Sequence, residues 1–219
     1  MDTCAASGYR SSMHKKTLCL GGSFNPIHLG HLICARAVAE AKGFARVMLI
    51  PCGQPPHKPR VADLASPTHR LQMCRLAIQT SDSTDSRRAQ VQFDISEIEI
   101  ARGGPSFTVD TVRQLRSQGW TQVHWLIGAD MLNYLPKWRE PTALIREANL
   151  LIMARAGVPI DWNALPGEFA SLKDNVVLAP LIEISSTQIR RRVRAGLSID
   201  YLTPPAVVRY IHSHRLYLG

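Results

Sequence analysis

From Thr17 to Gly22 the chain reads TLCLGG, an apolar run of strand length that stops on two glycines, with Pro26 four residues on and a helical pattern from Leu29 to Lys42. A strand that feeds a helix through a tight loop is the opening unit of a parallel sheet, because a parallel neighbour is reached only through a crossover. The alternation continues down the chain. Ala45 to Cys52 reads as a second buried strand, and Gly53, Pro55, Pro56 and Pro59 break it into a loop. A helix is expected over Pro67–Thr80, a polar turn over Ser81–Arg88, and a strand over Val91–Ile100, where apolar residues alternate. Thr108–Ser117 reads as a helix, Val123–Gly128, Asn149–Arg155 and Val176–Leu178 as strands, and Pro204–Leu218 as a final helix with a short tail.

Strands separated by helices predict the α/β class, a doubly wound, mostly parallel sheet with a Rossmann-like layout and a C-terminal helical segment. Ligands of such sheets bind beyond the carboxyl ends of the strands, so the loops after Gly22, Cys52 and Gly128 are the expected site. Residues 1–16 read as a disordered tail and residues 17–219 as a single domain, long enough for a full core.

Composition narrows the partners. Hydrophobic residues make up 45% and charged residues 20%, as in ordinary globular domains, and no apolar run approaches the length of a membrane span. The five cysteines lie mostly in apolar segments without a C-x-x-C pair, which fits reduced thiols in a cytoplasmic protein. The net charge of +9 is uneven: from Ser185 onward six arginines face one acid, Asp200. Such a stripe suits nucleic acid, an anionic membrane or a polyphosphate substrate. The basic segment lacks interleaved aromatics and RNA- or DNA-binding signatures, so neither nucleic acid nor a membrane is expected as partner.

The first loop runs Gly22-Ser23-Phe24-Asn25-Pro26-Ile27-His28-Leu29-Gly30-His31. His28 and His31 are three apart at a helix start, where free amides and the helix dipole favour an anion, and Gly30 is expected to leave room between the rings. The loop is neither a G-x-G-x-x-G fingerprint nor a P-loop. Two other readings of the histidines stand beside this one: a zinc pair, for which no third ligand is placed, and plain helix-start caps. Near the other end stands Ile184-Ser185-Ser186-Thr187-Gln188-Ile189-Arg190, whose hydroxyls either cap the following helix or donate to phosphate oxygens, with Arg190 one turn away.

Together, GSFNPIHLGH and ISSTQIR resemble the nucleotidylyltransferase superfamily. Three more segments, Pro55-Pro56-His57-Lys58, Ser106 to Thr111, and Gly128-Ala129-Asp130 followed by Trp138, are similar to the signature of the bacterial nicotinate mononucleotide adenylyltransferases. Many members of that family read Thr and Asp at Ser23 and Asn25, and Tyr at Phe107. The resemblance implies adenylyl transfer from ATP, accompanied by Mg²⁺, to nicotinate mononucleotide, with no resident metal. It implies that His28, His31 and Arg190 are catalytic, and that Gly22, Ser23, Phe24, Gly30, Ile184, Ser185, Ser186 and Thr187 complete the ATP grip. Lys58, Thr108, Asp130, Trp138 and Arg155 are implied on the mononucleotide. Four of these have ordinary alternatives: Lys58 as a solvated charge in a proline-rich loop, Thr108 and Asp130 as helix caps, and Trp138 as core filling. Nicotinamide mononucleotide or phosphopantetheine as acceptor is the alternative within the enzyme class. A class I aminoacyl-tRNA synthetase is disfavoured by length and by the lack of K-M-S-K-S.

Overall fold

The computed structural model describes residues 17–56, 63–79, 91–155, 157 and 159–218. The expected tail at 1–16, the turn at 81–88 and the side chain of Lys58 lie outside them. Six strands, β1 (Thr17–Gly22), β2 (Arg46–Pro51), β3 (Gln92–Ile95), β4 (His124–Gly128), β5 (Asn149–Arg155) and β6 (Val176–Ala179), form one sheet in the order β3-β2-β1-β4-β5-β6. All five pairings are parallel. The chain winds outward from β1 to β3, then returns to β1's other side at β4. Loops leaving β1 and β4 therefore diverge, and a crevice opens between them.

Both faces of the sheet are covered, which is why its strands read as near-continuous apolar runs. Leu18, Leu49, Leu126 and Val177 pack on one face beneath α1 (Leu29–Ala41), α2 (Pro67–Gln79), α6 (Ser186–Arg194) and α7 (Pro205–Ser213). Cys19, Ile50, Trp125, Ile127 and Ile152 pack on the other, against α4 (Thr108–Ser117) and α5 (Pro141–Glu147). Each fully buried aliphatic side chain contributes about 1.5–3 kcal/mol. A one-residue slip of β4 would exchange Leu126 for Trp125 and Ile127 between two filled cores, so register is strongly specified. Cys19, Cys34, Cys52 and Cys74 are buried, and burial raises the thiol pKa of Cys19 to about 12.

The expected strand over Val91–Ile100 is corrected. The ladder ends where the Ser96 amide bonds the Leu49 carbonyl at 2.9 Å, and a short helix, α3 (Ile98–Arg102), follows. Ile98 and Ile100 alternate as strand residues would, but Glu99 between them is buried, its carboxylate accepting from the Thr111 hydroxyl at 2.7 Å. Satisfying that carboxylate requires the turn. The sequence pattern does not signal helix α5, and the helix that Asp130 is expected to cap is the 3₁₀ segment Ala129–Lys137, which contains Pro136 and has Gly128 in the cap position.

Candidate active site

The loop after β1 is held from below by a residue that sequence reasoning missed. Arg70 on α2 is fully buried, and its guanidinium donates to the carbonyls of Ala65 (3.0 Å), Ser23 (2.9 Å), Cys52 (2.7 Å) and Gly53 (2.7 Å). No carboxylate forms an ion pair with it among the described residues. It ties the end of β2, the start of α2 and the β1 loop to one point. Because C=O and N–H of a trans peptide point in opposite directions, drawing the Ser23 carbonyl toward Arg70 turns the Phe24 amide away from it. The signal was present: Arg70 falls on the same helical face as Met73, Cys74 and Ala77, all buried.

The same loop is clamped from the far end of the chain. Arg190 donates to the Asn25 carbonyl at 2.9 Å, the Ser186 hydroxyl to the Pro26 carbonyl at 2.8 Å, and the buried Thr203 hydroxyl to the Ile27 carbonyl at 2.8 Å. Asn25 uses both halves of its amide. Its Nδ2 donates to the Asp63 carbonyl (2.8 Å), while its Oδ1 accepts from the Ala65 amide (3.0 Å) and the Tyr217 phenol (2.8 Å). A carboxylate could not make the first of these bonds, so the position requires an amide.

His28 and His31 stack, ring centroids 3.6 Å apart and planes 28° from parallel. The Nδ1 of His31 accepts from the His28 amide at 3.2 Å, which leaves the proton of its neutral ring on Nε2. Burial lowers the pKa of His28 to about 4; burial and then the His28 charge hold His31 well below the usual imidazole range. Both rings are therefore neutral at pH 7. Gly30 makes room beside His28 rather than between the rings: a Cβ there would lie 3.1 Å from His28 Nδ1. On α6 the three hydroxyls divide. Ser185 is the helix cap, accepting from the Gln188 amide at 3.2 Å; Ser186 is taken by Pro26; Thr187 accepts from Arg190 at 3.4 Å.

Two cavities meet along this loop. The first, about 390 Å³, is lined by Ser23, His28, Gly30, His31, Asp130, Ile184 to Thr187 and Arg190. The second, about 360 Å³, is lined by Gly22, Ser23, Phe24, His31, Phe107, Thr108, Trp138 and Arg139. Ser23, His31 and Gly128 belong to both. Asp130 therefore faces the histidine side, away from Thr108 and Trp138. Thr108 does not cap α4, since Phe107 occupies the cap position. Trp138 packs partly on the core and partly forms cavity wall. Arg155 ends β5, paired in register with Ala179, and the position of its side chain lies outside the described residues. A larger cavity, about 810 Å³, opens on the outer face of α1, lined by Leu29, Phe93 and Tyr201 among others and by neither histidine.

Three buried side-chain polar atoms of the described residues have no hydrogen-bond partner: His28 Nδ1, Arg190 Nε and Trp138 Nε1. Folded proteins rarely leave such groups orphaned, and these three line the two joined cavities. The sequence profile described as "Cytidylyltransferase-like" matches residues 19–192, spanning the β1 loop, both cavities and most of α6. The chain belongs to the cytidylyltransferase-like family. It is 42% identical over 200 residues to a protein of Roseiflexus sp. (strain RS-1) named "Probable nicotinate-nucleotide adenylyltransferase", covering 90% of this chain and 96% of the relative. A protein of the same name from Thermomicrobium roseum is 38% identical over 201 residues, covering 90% of this chain and 89% of the relative. Among solved structures, the Plasmodium falciparum nicotinic acid mononucleotide adenylyltransferase complexed with NaAD superposes with a TM-score of 0.68 at 20% identity, over 92% of this chain and 97% of that one. That likeness extends to the fold.

Proposed function

We propose that this chain transfers the adenylyl group of ATP to nicotinate mononucleotide, releasing pyrophosphate and forming nicotinate adenine dinucleotide. The observation that carries the reading is the pair of joined cavities, one edged by stacked imidazoles and a guanidinium, the other by aromatic rings, with the orphaned polar atoms on their walls. Curated relatives of the same name over nearly the whole chain support it.

The attacking phosphate is already ionised, so the reaction needs no activated protein nucleophile. The barrier lies in bringing two anions together and spreading the charge that develops. The mononucleotide phosphate attacks the α-phosphorus in line, and the P–O bond to the β-phosphate breaks. His31 Nε2 and His28 donate to the α- and β-phosphate oxygens as neutral rings, and Arg190 takes the departing pyrophosphate. The Phe24 amide, turned outward by Arg70, adds a donor at the junction. Mg²⁺ enters as part of the substrate, bound to the ATP phosphates. Asp130, on the histidine side, meets the ribose of ATP, and Trp138 and Thr108 receive the pyridine ring. A cytoplasmic setting fits the reduced thiols; no helix among the described residues is long and apolar enough to cross a membrane.

The test is pyrophosphate release with ATP, Mg²⁺ and each of nicotinate mononucleotide, nicotinamide mononucleotide and phosphopantetheine. Nicotinate mononucleotide should give the highest kcat/KM. Equal or faster release with phosphopantetheine would overturn the assignment.

A further inference from the structure

The second cavity carries two charged side chains among the described residues, Glu99 and Arg139. Glu99 is buried, takes the Thr111 hydroxyl at 2.7 Å, and has its pKa raised by burial. Arg139 differs. Its guanidinium lies 4.9 Å from the centroid of the Phe107 ring, over the face of an aromatic wall of the same cavity. Its acidic neighbours stand off, Asp110 at 3.6 Å and Glu140 at 3.8 Å, beyond the 2.7–2.9 Å of a charge-assisted hydrogen bond. Glu140 is already engaged by Arg113 at 2.7 Å, and Arg113 holds its pKa low. Arg139 is thus fixed in place by a ring and two loose charges while its donors form no hydrogen bond among the described residues. The backbone before it is anchored, the Trp138 amide bonding the Leu135 carbonyl at 3.0 Å.

We infer that Arg139, shelved on Phe107, is the specificity-determining residue that selects an ionised carboxylate over a carboxamide on the ring held in this cavity. A carboxylate can accept two parallel bonds from the guanidinium fork; a carboxamide offers one acceptor and a pair of N–H groups that a guanidinium repels. Aromatic walls with a single free cation at the rim suit a flat, anionic ring. Phenylalanine at 107 serves as a shelf for the cation, a role that needs the ring and not a phenol. The inference rests on the adenylyl-transfer reading of the same site.

The experiment measures kcat/KM with nicotinate and nicotinamide mononucleotides at matched ATP and Mg²⁺ for the unaltered chain, Arg139→Gln, Arg139→Lys and Phe107→Ala. Arg139 is 51% exposed, so its replacement should leave folding intact. Arg139→Gln should lower kcat/KM for nicotinate mononucleotide about tenfold and change that for nicotinamide mononucleotide less than about twofold. Arg139→Lys should recover only part of the loss, because it keeps the charge but not the fork, and Phe107→Ala should erode the preference part-way. Equal losses on both substrates, or none on either, would overturn the inference while leaving adenylyl transfer standing. An unaltered chain that turned over neither mononucleotide would overturn the reading of the site itself.

Discussion

The histidine-lined cavity and the aromatic cavity share a wall, yet they are assembled in opposite ways. The first joins the two ends of the chain: the Arg190 bond to Asn25 and the Ser186 bond to Pro26 span 165 and 160 residues. Its donors are tied by backbone carbonyls from several directions, and its two imidazoles are held neutral. The second is walled by the β1 loop, the segment after β2 and residues between Glu99 and Arg139, and its polar content is small. A chemistry common to every triphosphate substrate needs rigid donors at fixed points. Choice among acceptors needs only a few exchangeable side chains on a sound frame.

Arg70 serves both cavities and tests that division most severely. Arg70→Met leaves the carbonyls of Ser23, Cys52, Gly53 and Ala65 without their donor and should destabilise the fold by about 3–5 kcal/mol, measured by urea unfolding. A loss below about 1 kcal/mol would mean that the loop is held elsewhere. Next in size, His31→Ala should lower kcat about 100-fold or more, with ATP KM changed only a few-fold, since the donor is needed where charge develops. If kcat stayed within about a factor of two, the role of the imidazole would be wrong, and the contrast between a catalytic and a selective cavity would collapse.

Acid separates the cavities too. His28 has a pKa of about 4 in the fold against 6.5 for the free side chain, so between those values the unfolded chain binds the proton and the folded chain does not. Stability should be fullest above about pH 6.5 and fall as the pH drops toward 4. His28→Asn should flatten that fall, read as melting temperature against pH; a slope equal to that of the unaltered chain would refute the buried neutral ring. The smallest effect is expected at the tail: Tyr217→Phe removes the bond to Asn25 Oδ1 and should cost about 1 kcal/mol in the same unfolding assay, with modest loss of activity. No measurable change would show that Ala65 alone holds that oxygen.

Much of this was legible in the chain. Local patterns place β1, its loop and α1 within a residue or two, because an apolar run, a glycine pair and a helical period are short-range signals. The histidines share a face because residues three apart in a helix start must. The strand over Val91–Ile100 failed for a physical reason: Ile98 and Ile100 alternate as they would in a strand, and only the partner of Glu99, Thr111, shows that the chain turns there. Arg70 escaped because a lone arginine in a helix reads as solvated until its helical face is known to be buried. The division of Ser185, Ser186 and Thr187 into cap, clamp and Arg190 acceptor depends on Pro26, far off in the chain.

Residue order alone dictated the alternation of strands and helices, the anion-favouring loop and the two motifs at its ends, since each follows from backbone sterics and periodicity within a few positions. Packing across the sheet dictated the rest: that His28, His31 and Arg190 edge one cavity, that Asn25 satisfies three partners at once, and that Arg139 lies over Phe107. Those facts depend on distances between residues remote in sequence, and such distances exist only once burial has brought the elements together.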